Sequence, residues 1–204
     1  MRYLGHLELV SVFSRAARRS DLPLKYSEGY HPLPRIVFSP PLPTGIESLS
    51  EYADMELTRK IEPEEIARRL NDELPDGIRI TDVRDIPLRT PSLQDTIKGF
   101  VYKVRRADEC HEHCFERLRE GVHGFEKKGS WIVTLQREGK KRDIDLKSEI
   151  MEMEESASEI VIAVRFNTRG SLRIDEAISI ISGAPVHREH LDIIKIDTIF
   201  SPIW

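Results

Sequence analysis

Residues 159–200 read EIVIAVRFNTRGSLRIDEAISIISGAPVHREHLDIIKIDTIF, and the fold class follows from this stretch. Ile160, Ile162, Val164 and Phe166 alternate on one face, while Val161 and Ala163 make the opposite face apolar as well. A strand that is apolar on both faces belongs inside a sheet. Residues 171–182 then carry helical spacing and stop at Gly183, a residue suited to the left-handed cap of a helix. Residues 191–199 return to a strand pattern. The stretch therefore spells strand, helix, strand.

Upstream the order continues. Phe100, Tyr102 and Val104 alternate as a strand, and residues 108–121 read as a helix ending in glycine. Trp131, Val133 and Leu135 form another strand, which the turn at Glu138 and Gly139 directs into residues 142–146. The glutamates at 149, 152, 154, 155 and 159 predict an acidic loop or edge strand.

The first half repeats the plan. Leu9, Val12/Phe13 and Ala16/Ala17 recur at helical spacing over residues 6–20, before Leu22-Pro23 ends the run. A loop over 26–48 holds five prolines and is interrupted by the apolar run at 35–38. Residues 51–58 alternate as a half-buried strand. Pro63, with Glu62, Glu64 and Glu65 around it, opens a helix with Ile66, Leu70 and Leu74 on one face. Pro75-Asp76-Gly77 turns the chain into a strand expected at 78–86, and residues 87–91 are the best linker. The expectation is an α+β protein of two tandem ferredoxin-like (βαββαβ) domains, at 1–88 and 89–204. The first copy lacks most of its opening strand, which residues 1–4 are too short to supply. Either that strand is vestigial or the chain begins inside a longer one.

Composition narrows the class. The 204 residues include 31 Lys+Arg against 35 Asp+Glu, so the chain is neither a polycation nor an acidic tail protein. No run approaches the roughly 18 apolar residues of a membrane helix. The two cysteines cannot staple a secreted scaffold of this size. A soluble, cytoplasmic protein without a membrane partner is expected.

Arg2-Tyr3-Leu4-Gly5-His6-Leu7-Glu8-Leu9, the arginine-rich helix, and Leu24-Lys25-Tyr26-Ser27-Glu28-Gly29-Tyr30-His31-Pro32-Leu33-Pro34-Arg35 stand close together, followed by Pro41-Leu42-Pro43-Thr44-Gly45-Ile46-Glu47-Ser48. This pattern resembles the radical-SAM-linked protein family, a bacterial domain of unknown function found beside or fused to cobalamin-binding radical SAM proteins. Thr90-Pro91-Ser92-Leu93, residues 143–147 and residues 170–176 extend the resemblance more weakly. Where the family carries Asp-Ile-Arg-Pro this chain has Asp145-Leu146-Lys147-Ser148, a point charge in place of a guanidinium fork. Where it carries Arg-Pro-Asp-Glu the chain has Arg173-Ile174-Asp175-Glu176. The resemblance implies a radical SAM partner. An iron–sulfur cluster takes about three or four thiolates, so two cysteines four apart do not make this chain the radical SAM enzyme, and no cofactor of its own is expected.

Arg15, Arg18 and Arg19 share one helix face at i, i+3 and i+4. With Tyr26, Gly29, Tyr30, His31 and Arg35 on the following loop, they offer charge and stacking surface to single-stranded RNA or to a partner. Lys147 and Arg173 join this set through the family motifs. An ordinary solvated face is the competing reading, and the net charge of −4 favours it. His6 and His31 are candidates for acid–base cleavage of RNA without a metal, provided the fold brings their rings together; His6 is equally a packing or capping residue. Cys110, His113 and Cys114 share a helix face as a metal candidate, although structural zinc sites generally draw ligands from two elements. Three functions remain: a non-catalytic accessory to a radical SAM protein that also contacts RNA or another macromolecule, a metal-independent RNA-cleaving enzyme using His6 and His31, or a purely structural interaction module.

Overall fold

The computed structural model describes residues 2–107, 113–137, 139–168, 170–185 and 190–201. The protein is α+β. In chain order its elements are α1 (His6–Arg19), β1 (Ile36–Phe38), β2 (Glu47–Ser48), β3 (Ala53–Met55), α2 (Pro63–Glu73), α3 (Leu93–Thr96) and β4 (Ile97–Arg106). There follow α4 (His113–Lys127), β5 (Ile132–Arg137), β6 (Lys140–Asp145), α5 (Leu146–Glu149), β7 (Ile150–Glu155), β8 (Glu159–Arg165), α6 (Ile174–Ser182) and β9 (Leu191–Phe200). They fall into two compact units, the described parts of Met1–Gly45 with Glu51–Asp95, and of Ile46–Ser50 with Thr96–Trp204.

The first unit is built on two helices. α1 buries Phe13, Ala16 and Ala17, and α2 buries Ile66 and Leu70. Leu22 and Leu24 complete this core, and Ile36, Phe38, Met55 and Leu57 pack against it. β1 and β3 pair antiparallel with Ile36 opposite Met55, and the bridge between Leu24 and Leu57 prolongs the contact. α1 ends at Arg19 with Ser20 as its C-cap, before Pro23, and Asp21 takes a left-handed φ of 52°.

The strand expected at 78–86 is not formed. Ile80 and Val83 do pack on the core, as the alternation implied. Among the described residues no neighbouring strand meets their backbone, however. The Asn71 side chain takes that place: its Oδ1 accepts from the Ile80 N–H at 2.8 Å, and its Nδ2 donates to the Ile80 carbonyl at 3.0 Å. Residues 2–4 likewise carry no strand.

The second unit is a five-stranded sheet in the order β2-β9-β4-β8-β7. β4, α4, β7, β8, α6 and β9 follow one another as a βαββαβ path, and β2 adds a parallel strand beside β9. β8 is interior, as its two apolar faces require, and β7 is the acidic edge. Exposed Glu152 and Glu154 discourage pairing of that edge with another chain. The β5–β6 hairpin is inserted after α4. Its inward face is fastened to the approach to α6: Arg137 is bidentate to Glu176 and donates to the Ser171 carbonyl at 2.8 Å, and Arg142 donates to the Gly170 carbonyl at 2.8 Å.

α4 does not end at Gly121, where the sequence reading stopped it; it runs on to Lys127. Gly121 is there for another reason. A Cβ at this position would stand 2.0 Å from the Ile181 carbonyl oxygen, so α4 and α6 approach only because the side chain is absent. Gly183 does close α6, in the left-handed conformation expected of it.

Candidate partner-docking face

α1 is amphipathic in an unusual way. With Phe13, Ala16 and Ala17 turned into the core, the opposite side carries Leu7, Ser11, Arg15 and Arg18, spaced at i, i+4, i+8 and i+11. Leu7 is 81% exposed. Leu4, Leu7, Glu8, Ser11, Val12 and Arg15 line a shallow groove along this side. Its amino-terminal end is fixed by Glu8, whose Oε2 accepts the Gly5 N–H at 2.7 Å, so that this carboxylate caps the helix.

The three arginines of α1 separate into two kinds. Arg19 donates through Nε to Glu73 at 2.7 Å and through Nη2 to the Glu73 carbonyl at 2.9 Å. Arg15 and Arg18 are exposed and have no ion-pair partner among the described residues. Arg35 is also committed. Glu56 pairs with Lys25 at 2.8 Å and with Arg35 at 3.5 Å, and the Lys25 hydrogen bond is the main reason its carboxyl titrates below the ordinary value.

The loop after α1 is braced. Tyr26 bridges Pro34, the Ser27 N–H donates to the Leu33 carbonyl at 2.8 Å, and the Leu33 N–H donates to Ser27 Oγ at 3.0 Å. Gly29 supplies the positive φ, 128°, that turns the tip. Tyr30 stands on this tip, 97% exposed, with the His31 ring edge-on at 5.7 Å. Tyr26 is exposed as well.

His6 and His31 have different neighbours. His6 lies edge-on to Phe38 at 6.4 Å, and Phe38 in turn packs on Phe13, which makes His6 part of the wall around the first core. Lys147 and Arg173 belong to the second unit. The Lys147 ammonium lies 3.8 Å above the Phe125 ring, and the Arg173 N–H donates to Glu176 at the start of α6. Cys110 lies outside the described residues, and α4 begins at His113. Cys114 has a neighbour that sequence reasoning missed, His190 Nδ1 at 3.4 Å from its sulfur. Among the described residues no group of three or more His, Cys, Asp or Glu is placed to hold a metal ion.

The sequence reading also missed the apolar half of the α1 face. Leu7 does not fit the buried stripe of Phe13, Ala16 and Ala17, and a leucine out of phase with its own core face was the signal available. No described helix is long and apolar enough to cross a membrane.

Comparison with curated proteins gives no match. Residues 1–174 match the family described as an uncharacterized protein conserved in bacteria, DUF2344. That span takes in α1, its groove and the braced loop, and the chain is a member of the DUF2344 family.

Proposed function

We propose that the chain is a non-catalytic accessory module that docks a cobalamin-binding radical SAM protein through the outer face of α1. One observation carries the reading: exposed Leu7 and the uncommitted Arg15 and Arg18 lie on a single face of one helix. An exposed leucine and two cations without an ion-pair partner among the described residues gain nothing for the folded chain alone, whereas a partner would bury the first and neutralise the others. The motifs at 2–9 and 24–35, which resemble the radical-SAM-linked family, flank this helix and indicate the partner's class. Capture from native lysate of the source bacterium, with the retained proteins identified, tests it. A radical SAM protein retained by the full chain and lost with Leu7→Asp combined with Arg15→Glu is expected. Its absence from the retained proteins, or equal retention by the variant, overturns the reading.

A second reading, contact with single-stranded RNA, is favoured by Tyr30. An almost fully exposed aromatic ring on a braced loop is a stacking platform for a base. Retention of mixed RNA that falls with added salt and with Tyr30→Ala is expected if the loop serves this purpose. Retention indifferent to both rejects it.

A further inference from the structure

Resting on the docking reading above, we propose that the α1 groove receives an amphipathic helix of the partner protein, its apolar side chains against Leu4 and Leu7 and its carboxylates towards Arg15 and Arg18. The two ends of the groove differ chemically. Leu4 and Leu7 make the amino-terminal end apolar, with Val12 farther along, while Arg15 lines the other end and Arg18 follows it on the same helix face, neither with an ion-pair partner among the described residues. Glu8 also lines the groove, and its charge opposes any acidic group near Leu4. Carboxylates of the occupant are therefore confined to the Arg15 and Arg18 end.

A helix fits this lining better than a strand or a nucleic acid. The backbone groups of α1 are already used within the helix, so no ladder is open to an added strand. From Leu7 to Arg18 the face measures roughly 16 Å, which is about three turns of a helix laid along it. Leucine and valine offer an RNA neither stacking nor hydrogen bonds, and Glu8 repels phosphate. An occupant helix would place apolar residues at i, i+3, i+4 and i+7 over the leucines, with Asp or Glu in the turns that overlie the arginines.

Two synthetic helical peptides of roughly 18 residues test the assignment. Both carry leucines at that spacing; one has glutamate and the other lysine at the charged positions of one half. Binding to the full chain is read by fluorescence anisotropy. The glutamate peptide is expected to bind, and the lysine peptide to bind about tenfold or more weakly. Arg15→Glu with Arg18→Glu should reverse that order, and Leu7→Asp, a change at an exposed position, should weaken both peptides. Equal binding of the two peptides, an order unchanged by the charge reversal, or displacement of the glutamate peptide by oligouridylate overturns the proposal. The docking reading fails separately. A radical SAM protein still captured through Leu7, alongside peptides that do not discriminate, removes only the helix. A discriminating peptide pair without radical SAM capture removes only the partner's class.

Discussion

Arg19 holds Glu73 by two hydrogen bonds, one to its carboxylate at 2.7 Å and one to its backbone carbonyl at 2.9 Å, fastening the last turn of α1 to the last residue of α2. Arg15 and Arg18, one turn and one residue before it, hold nothing comparable among the described residues. The same helix thus uses one arginine for its own fold and presents two others outward.

Arg19→Ala should accordingly lower the stability of the first unit by about 0.5–1 kcal/mol and leave partner capture intact. Arg15→Ala and Arg18→Ala should do the reverse, with denaturation midpoints at the wild-type position and weaker capture. Urea denaturation beside capture checks both. A loss of stability at Arg15 equal to that at Arg19 would contradict the division.

Gly121→Ala forces a Cβ to within 2.0 Å of the Ile181 carbonyl oxygen, a backbone atom that moves only if α6 moves. A loss of about 2 kcal/mol or more is expected for the second unit. Gly124→Ala is the control, since nothing lies within 4 Å of its added methyl group. Alanine there should gain about 0.5–1 kcal/mol through helix propensity. Thermal denaturation reads both, and equal stability of the two variants would refute the close approach.

Glu176 is subject to opposing influences. Burial pushes its carboxyl up, but hydrogen bonds from the Arg137 side chain and the Arg173 N–H, together with both charges, bring it below the ordinary 4.5. A carboxyl lowered by folding contributes stability that is fully present above its unfolded value near 4.5 and is lost as the pH falls through the lower folded value. The attachment of the hairpin to α6 should therefore weaken only below about pH 4.5. NMR titration of Glu176 should show a midpoint below 4.5 in the wild type and, in Arg137→Met, a midpoint moved upward as burial loses its main opponent. A wild-type midpoint above 4.5 would contradict this balance.

His6→Ala should destabilise the first unit by about 0.5–1.5 kcal/mol, because its ring packs on Phe38. His31→Ala, at an exposed loop tip, should leave stability unchanged. Circular dichroism melting curves distinguish the two. An undisturbed His6→Ala protein would contradict the packing role.

Much of the second unit was legible because its signals are local. β8 reads as interior from two apolar faces, and α6 from its spacing and Gly183. What was misread depends on distant partners. Gly121 looks like a helix stop until Ile181 is seen against it, and residues 78–86 look like a strand until Asn71 is found occupying the backbone of Ile80. β2, two residues paired to β9 from across most of the chain, has no periodicity to read. The site behaves likewise. The spacing of Arg15, Arg18 and Arg19 predicts a shared face, but the carboxylate that engages Arg19 lies 54 residues away.

The most direct test of the docking account is photocrosslinking from two positions, with a photoreactive amino acid placed at residue 7 on α1 or at residue 132 on β5. Leu7 and Ile132 are both exposed apolar residues, one on the proposed face and one in the other unit. Irradiated in lysate of the source bacterium, the probe at 7 should attach to a cobalamin-binding radical SAM protein and the probe at 132 should not. Attachment of that protein from 132 alone, or from neither position, would contradict the account.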